Sequence, residues 1–182
     1  MRRSPLPFGF AIAVALLFPV SARATSMVPQ SLDELSTKSD AVVRVTTLAT
    51  RTEWRNRVIV TIARMRVAEV LLGSLTPGAE IDVATLGGTR DGVELRVAGV
   101  PHFTAGEDDV LFLGAGTGTV ADWQVTDLAQ GKFEVAHDAA GHEYLTRRDM
   151  EGVELSLGAA LPARLTLGNL TQRVRSSLRI ER

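Results

Sequence analysis

A chain of 182 residues with 20 basic and 21 acidic side chains has a formal net charge of −1. Its charges are interspersed, which excludes the basic stripe that nucleic acid demands. With no cysteine, disulfides, thiolate metal sites, cysteine nucleophiles and a lipid-bearing cysteine are excluded as well, so stability has to come from an apolar core.

The first 24 residues read as an export leader. Arg2 and Arg3 give a positive start, Phe8 to Val20 is an uncharged apolar run, and Ala22-Arg23-Ala24 is a small-x-small cleavage site. The run is 13 residues long, against the roughly 20 that a membrane helix needs. No other uninterrupted apolar run approaches that length, so no membrane insertion is expected after cleavage. The expected location is the periplasm or the extracellular space. The Arg2-Arg3 pair also fits twin-arginine export. Taking the leader's three arginines from 20 basic residues leaves 17 against 21 acidic, a net charge of −4 for Thr25 to Arg182. These residues are expected to form a single domain.

Ser31-Leu32-Asp33-Glu34 spells a capping box, predicting a short helix to about Ser39 with Leu32 and Leu35 facing inward. Ala41 to Ala49 is rich in β-branched residues and predicts a strand. Thr50 to Asn56, with Trp54, reads as a polar turn. Arg57 to Leu72 predicts a strand in which Val58, Val60 and Ile62 share one parity and Met65 and Val67 the other. Such a switch points to a β-bulge. Gly73 to Gly78 is a turn, and Glu80 to Leu86 a third strand. Asp91-Gly92 is a tight-turn pair before a short strand over Val93 to Val97.

Gly99 to Gly106 is a loop. Glu107-Asp108-Asp109 is expected at the mouth of a buried strand, Val110 to Leu113, where charge limits edge pairing. Trp123 to Thr126, Lys132 to Val135 and Glu143 to Leu145 are further short strands. Thr166 to Arg179 predicts a closing helix with an apolar stripe of Leu167, Leu170, Val174 and Leu178. Many short strands with glycine-rich turns, flanked by helices, predict a mainly β protein. An OB-type closed barrel is the expectation and a β-sandwich the alternative.

Candidate chemistry is sparse. His137, Asp138, His142 and Glu143 offer two imidazoles and two carboxylates to a metal ion, but the same residues make an ordinary strand-to-strand turn. Gly114-x-Gly116-x-Gly118 echoes a phosphate loop without the following helix. His102 lacks an activated serine, since no G-x-S-x-G is present. Asn169-Leu170-Thr171 matches a glycosylation acceptor inside the predicted helix. Trp54 and Phe103 read as core aromatics, with exposed recognition aromatics as the alternative. No catalytic residue and no cofactor is expected.

The segment Thr25-Ser26-Met27-Val28-Pro29, the helix after it and Ser39-Asp40-Ala41-Val42-Val43-Arg44 resemble the start of the tissue inhibitors of metalloproteinases. These belong to the netrin-like group of OB barrels, in which a Cys-x-Cys-Val-Pro start precedes a helix and a Ser-Asp-hydrophobic-Val-Ile-Arg strand. Glu69-Val70-Leu71-Leu72-Gly73 resembles that family's strand end and glycine turn. The layout is also similar to exported bacterial proteins with a P-x-F-x-x-G-E loop (Pro101, Phe103, Gly106, Glu107) and an L-A-Q-G-K-F strand (Leu128 to Phe133). The first resemblance implies a non-catalytic protein-binding module whose partner is another protein, in its sharpest form an exported metalloprotease. The zinc-chelating amine and carbonyl would fall at Thr25, the pocket-entering side chain at Ser26, and Met27, Val28 and Pro29 would lie along the cleft. Thr25 and Met27 replace the family's cysteines. Two other functions fit the residues: a metal-dependent hydrolase using the histidines, and a barrel that holds a small ligand.

Overall fold

The computed structural model describes residues 25–116, 121–150, 153–155 and 165–180. Residues 1–24, where a leader is expected, and Gly118 lie outside the described residues. A short strand β1 (Thr25–Met27) leads into helix α1 (Leu32–Lys38). The capping box forms as its spacing predicts: Glu34 N–H donates to Ser31 Oγ, and Ser31 N–H to Glu34 Oε2. These bonds hold the Glu34 carboxyl below its ordinary range. Leu32 and Leu35 are buried.

Two long strands follow, β2 (Ala41–Arg55) and β3 (Val58–Leu72), then β4 (Glu80–Leu86), the small hairpin β5 (Gly88–Arg90) and β6 (Val93–Leu95), and β7 (Asp108–Ala115). After β8 (Trp123–Val125) a 3₁₀ turn (Leu128–Gly131) enters β9 (Lys132–His137), which pairs with β10 (Glu143–Thr146). A strand β11 (Val153–Leu155) lies parallel to β1, and helix α2 (Leu167–Ile180) closes the chain. Thr166 caps that helix through its Oγ1, which accepts from Asn169 N–H at 3.2 Å.

The pairings close on themselves. β2 bonds β3, β3 bonds β4, β4 bonds β8 in parallel, β8 bonds β7, and β7 returns to β2, so five strands form a ring. Every strand of it sends side chains inward: Val43 and Val45, Met65 and Val67, Ile81 and Val83, Leu111 and Leu113, and Val125 form one buried cluster. The opposite face of β2 and β7 buries Val42, Val110 and Phe112 with Phe133, under Leu32 and Leu35 of α1 and Leu170 and Val174 of α2. Burial on both faces explains the unbroken apolar run at Val110 to Leu113. β9 and β10 extend the sheet outward from β7.

Three expectations are corrected. Thr50 to Asn56 is no turn: β2 runs to Arg55 in register with β3, and only Asn56 and Arg57 turn the chain. Its polarity belongs to a ribbon wetted on both sides, which no period-two pattern marks. Trp54 on it is 43 % exposed, its Nε1–H donating to Asp91 at 2.9 Å. The bend expected inside β3 is there, but near Met65 the extra residue is Leu48 of β2, while Ala68 and Leu71 are the unpartnered residues of β3. Lastly, Asp108 and Asp109 lie within β7, and Asp109 is wholly buried.

Asn56 (φ 47°) and Arg57 (φ 67°) form a left-handed pair in the two-residue link of the β2–β3 hairpin, the geometry that favours Asn-Gly. A side chain at the second position costs free energy there. Arg57→Gly is therefore expected to raise stability by about 0.5–1 kcal/mol, read as a higher midpoint in chemical unfolding.

Candidate functional site

Two places gather the residues singled out in the sequence. The first is the N-terminal edge. Gln130 is 2 % exposed, and its amide clasps the segment between β1 and α1. Its Oε1 accepts from Gln30 N–H at 2.8 Å, and its Nε2–H donates to Val28 O at 3.0 Å. Lys38 adds a second tie, donating to Gln30 Oε1 at 2.6 Å and pairing with Asp127 at 2.9 Å. Met27 and Pro29 are half-buried, while the Val28 side chain is 68 % exposed. The turn carrying Gln130 is entered through two left-handed residues, Asp127 (φ 50°) and Leu128 (φ 58°), a conformation that costs about 1–3 kcal/mol for each residue. Nothing in the sequence flagged that pair. The clasp residue itself lies within the L-A-Q-G-K-F motif.

The second place is one mouth of the ring. Lys132 on β9 and Asp109 on β7 share the interior-facing parity with Leu111, which pairs with Lys132. The Lys132 side chain is 8 % exposed. Its Nζ lies 3.9 Å from Asp109 Oδ1, 3.5 Å from Glu107 Oε2 and 3.2 Å from Asp149 Oδ2, and it donates to His102 O. The Phe103 ring, packed on the interior cluster, lies 4.8 Å from the ammonium, within cation–π range. Phe103 is thus half-buried over the ring's end. Neither oxygen of Asp109 has a hydrogen-bond partner, nor does the buried Thr47 Oγ1. Burial pushes the Asp109 carboxyl up to about 7. Lys132 opposes that rise, while Glu107, Glu134 and Asp149 add to it. The two motifs seen in the sequence, P-x-F-x-x-G-E and L-A-Q-G-K-F, therefore meet here through Phe103, Glu107 and Lys132.

Each histidine lies beside a different carboxylate. His102 Nδ1 lies 3.6 Å from Asp149, His137 Nε2 3.6 Å from Glu143 and His142 Nδ1 3.4 Å from Asp138. His137 and Glu143 face each other across the β9–β10 hairpin, and Asp138 Oδ1 accepts from the Ala140 and His142 amides to fold its turn. Among the described residues no group of three or more His, Asp or Glu side chains is arranged to hold a metal ion. A cleft of about 250 Å³ lies beside β4 and β8, lined by Val60, Leu86, Val100, Trp123 and Leu128. Leu86 and Leu128 are 50 % and 39 % exposed at its rim.

No protein-family model matches this sequence, and comparison with curated proteins finds no match.

Proposed function

We propose that this protein is an exported, non-catalytic protein-binding module of the OB type, netrin-like in layout, whose contact edge is Thr25 to Pro29 and whose partner is an exported metalloprotease. The ring supports the OB reading. Counted along the chain its strands run 1-2-3-5-4 and back to 1, with the third and fifth parallel, the order of that barrel type. The observation that carries the functional reading is the Gln130 clasp. It fixes the backbone of Val28 and Gln30 while leaving the Val28 side chain in solvent. A pre-ordered edge binds without the entropy loss of a free tail.

The test is inhibition and capture of zinc metalloproteases by protein beginning at Thr25. Gln130→Ala is expected to weaken binding about tenfold, the equivalent of ~1.4 kcal/mol, with a small loss of stability. An added residue before Thr25 should remove inhibition that depends on the α-amine. If deletion of Thr25 to Pro29 leaves capture unchanged, the contact edge lies elsewhere.

The apolar cleft beside β4 and β8 favours a second reading, a small apolar ligand held against Trp123. Quenching of tryptophan emission by a fluorescent apolar probe, lost in Leu128→Asp, would distinguish it from the first.

A further inference from the structure

We infer that Lys132 and Asp109 join in an intramolecular isopeptide bond that ties β9 to β7 inside the mouth of the ring. The geometry brings one amine and one carboxyl side by side in a buried site. The amine and the carboxyl stand on neighbouring antiparallel strands, Lys132 opposite Leu111 and Asp109 two residues before it. Their polar atoms are 3.9 Å apart, the lysine is 8 % exposed and the aspartate fully buried. Asp109 makes no hydrogen bond through either oxygen, an unusual state for a buried carboxyl. It leaves the carbonyl carbon open to attack. The Phe103 ring covers the amine, and Glu107 Oε2, 3.5 Å from Nζ, supplies a group to move protons. A dry, oriented pair of this kind gains the rate advantage of an intramolecular reaction.

The other two carboxylates near the amine are poorer electrophiles. Asp149 accepts from His102 N–H at 3.2 Å and its side chain is 19 % exposed. Glu107 accepts from Thr104 N–H at 2.9 Å and is 33 % exposed. Burial raises the Asp109 carboxyl to about 7, so a large share of it is the neutral acid near neutral pH, the form that has a hydroxyl to lose.

The step balances without an oxidant or a cofactor. Glu107 takes one proton from the Lys132 ammonium, freeing the nitrogen lone pair. The Nζ–Cγ bond forms and one C–Oδ bond of Asp109 breaks. That oxygen leaves as water, carrying the carboxyl's own proton and a second one from Nζ relayed through Glu107. Glu107 ends protonated and returns its proton to solvent. The product is a planar secondary amide and one molecule of water.

The experiment is the intact mass of the purified full chain, compared with the mass calculated from its observed N-terminus, followed by digestion and fragmentation. The expected result is a protein lighter by one water, with residues 132 and 109 in one branched peptide. Asp109→Ala should show full mass. Glu107→Ala, shown to be folded by circular dichroism, should show full mass or a slow approach to the lighter form. A wild-type protein of full mass overturns the proposal. So does a loss of water that persists in Asp109→Ala, maps to Asp91-Gly92, or joins Lys132 to Glu107 or Asp149.

Discussion

Lys132→Met, which can form no amide to Asp109 and leaves that carboxyl buried without its cation, is expected to lose about 3–5 kcal/mol of stability between pH 4 and pH 8 as the stranded group ionises. The pH dependence follows from Asp109. Its carboxyl has an ordinary value of 3.8 and is pushed up to about 7 by burial, with Lys132 the one neighbour pulling it down. Without the lysine it rises further. A group whose folded value exceeds its unfolded one contributes stability that is complete below the unfolded value and is lost as pH rises through the folded one. The loss in the variant therefore begins near pH 4 and continues past pH 7. Urea unfolding of wild type and variant at pH 4.5 and pH 8 measures it. Adding Asp109→Leu should restore stability over the single variant and flatten its pH dependence, because an apolar side chain needs no partner. A cost for Lys132→Met that is equal at both pH values would refute this account.

The second large effect is expected at Phe112. Its side chain is fully buried on the helix-covered face of β7, with its ring 5.8 Å from that of Phe133 and tilted by 55°. Arg147 stacks on Phe133 at 4.5 Å. Phe112→Ala empties the centre of that layer and is expected to cost about 3–5 kcal/mol, lowering the melting temperature by roughly 10 °C. Trp54→Ala, which removes a larger side chain, should cost under about 1 kcal/mol, because Trp54 is 43 % exposed and has one surface hydrogen bond to release. The two substitutions reverse the order that residue size alone suggests. A thermal melt of each variant decides between size and position.

Local signals in this sequence were readable. The Ser31–Glu34 box, the glycine turn at Gly73 and the alternation of Glu80 to Leu86 each specify structure within a few residues. At Gly73 (φ 99°) any side chain would meet the Asp40 carbonyl at 2.7 Å, so the residue type itself carries the information. What could not be read depends on distant partners. The ring closes through β4 on β8 and β7 on β2, pairings set by tertiary packing that leaves no period in either strand. Asp109 looked like one of three acids at a strand mouth, because nothing in its neighbours announces Lys132, 23 positions later, beneath the same ring. Gln130 stood within the L-A-Q-G-K-F motif, but its role could not be read there, since a clasp is defined by the segment it holds, a hundred positions earlier.

Beyond Thr47, β3 is the one strand that β2 pairs with among the described residues, so one flank of its outer half has no ladder partner. An open flank of that kind is where a second molecule would add its own strand and start a fibril. Here Arg51, Glu53 and Arg55 line the stretch with paired charges, and the Arg90 guanidinium occupies the Thr52 carbonyl at 3.2 Å. The polarity that disguised this ribbon as a turn is thus what keeps one copy from polymerising on the next.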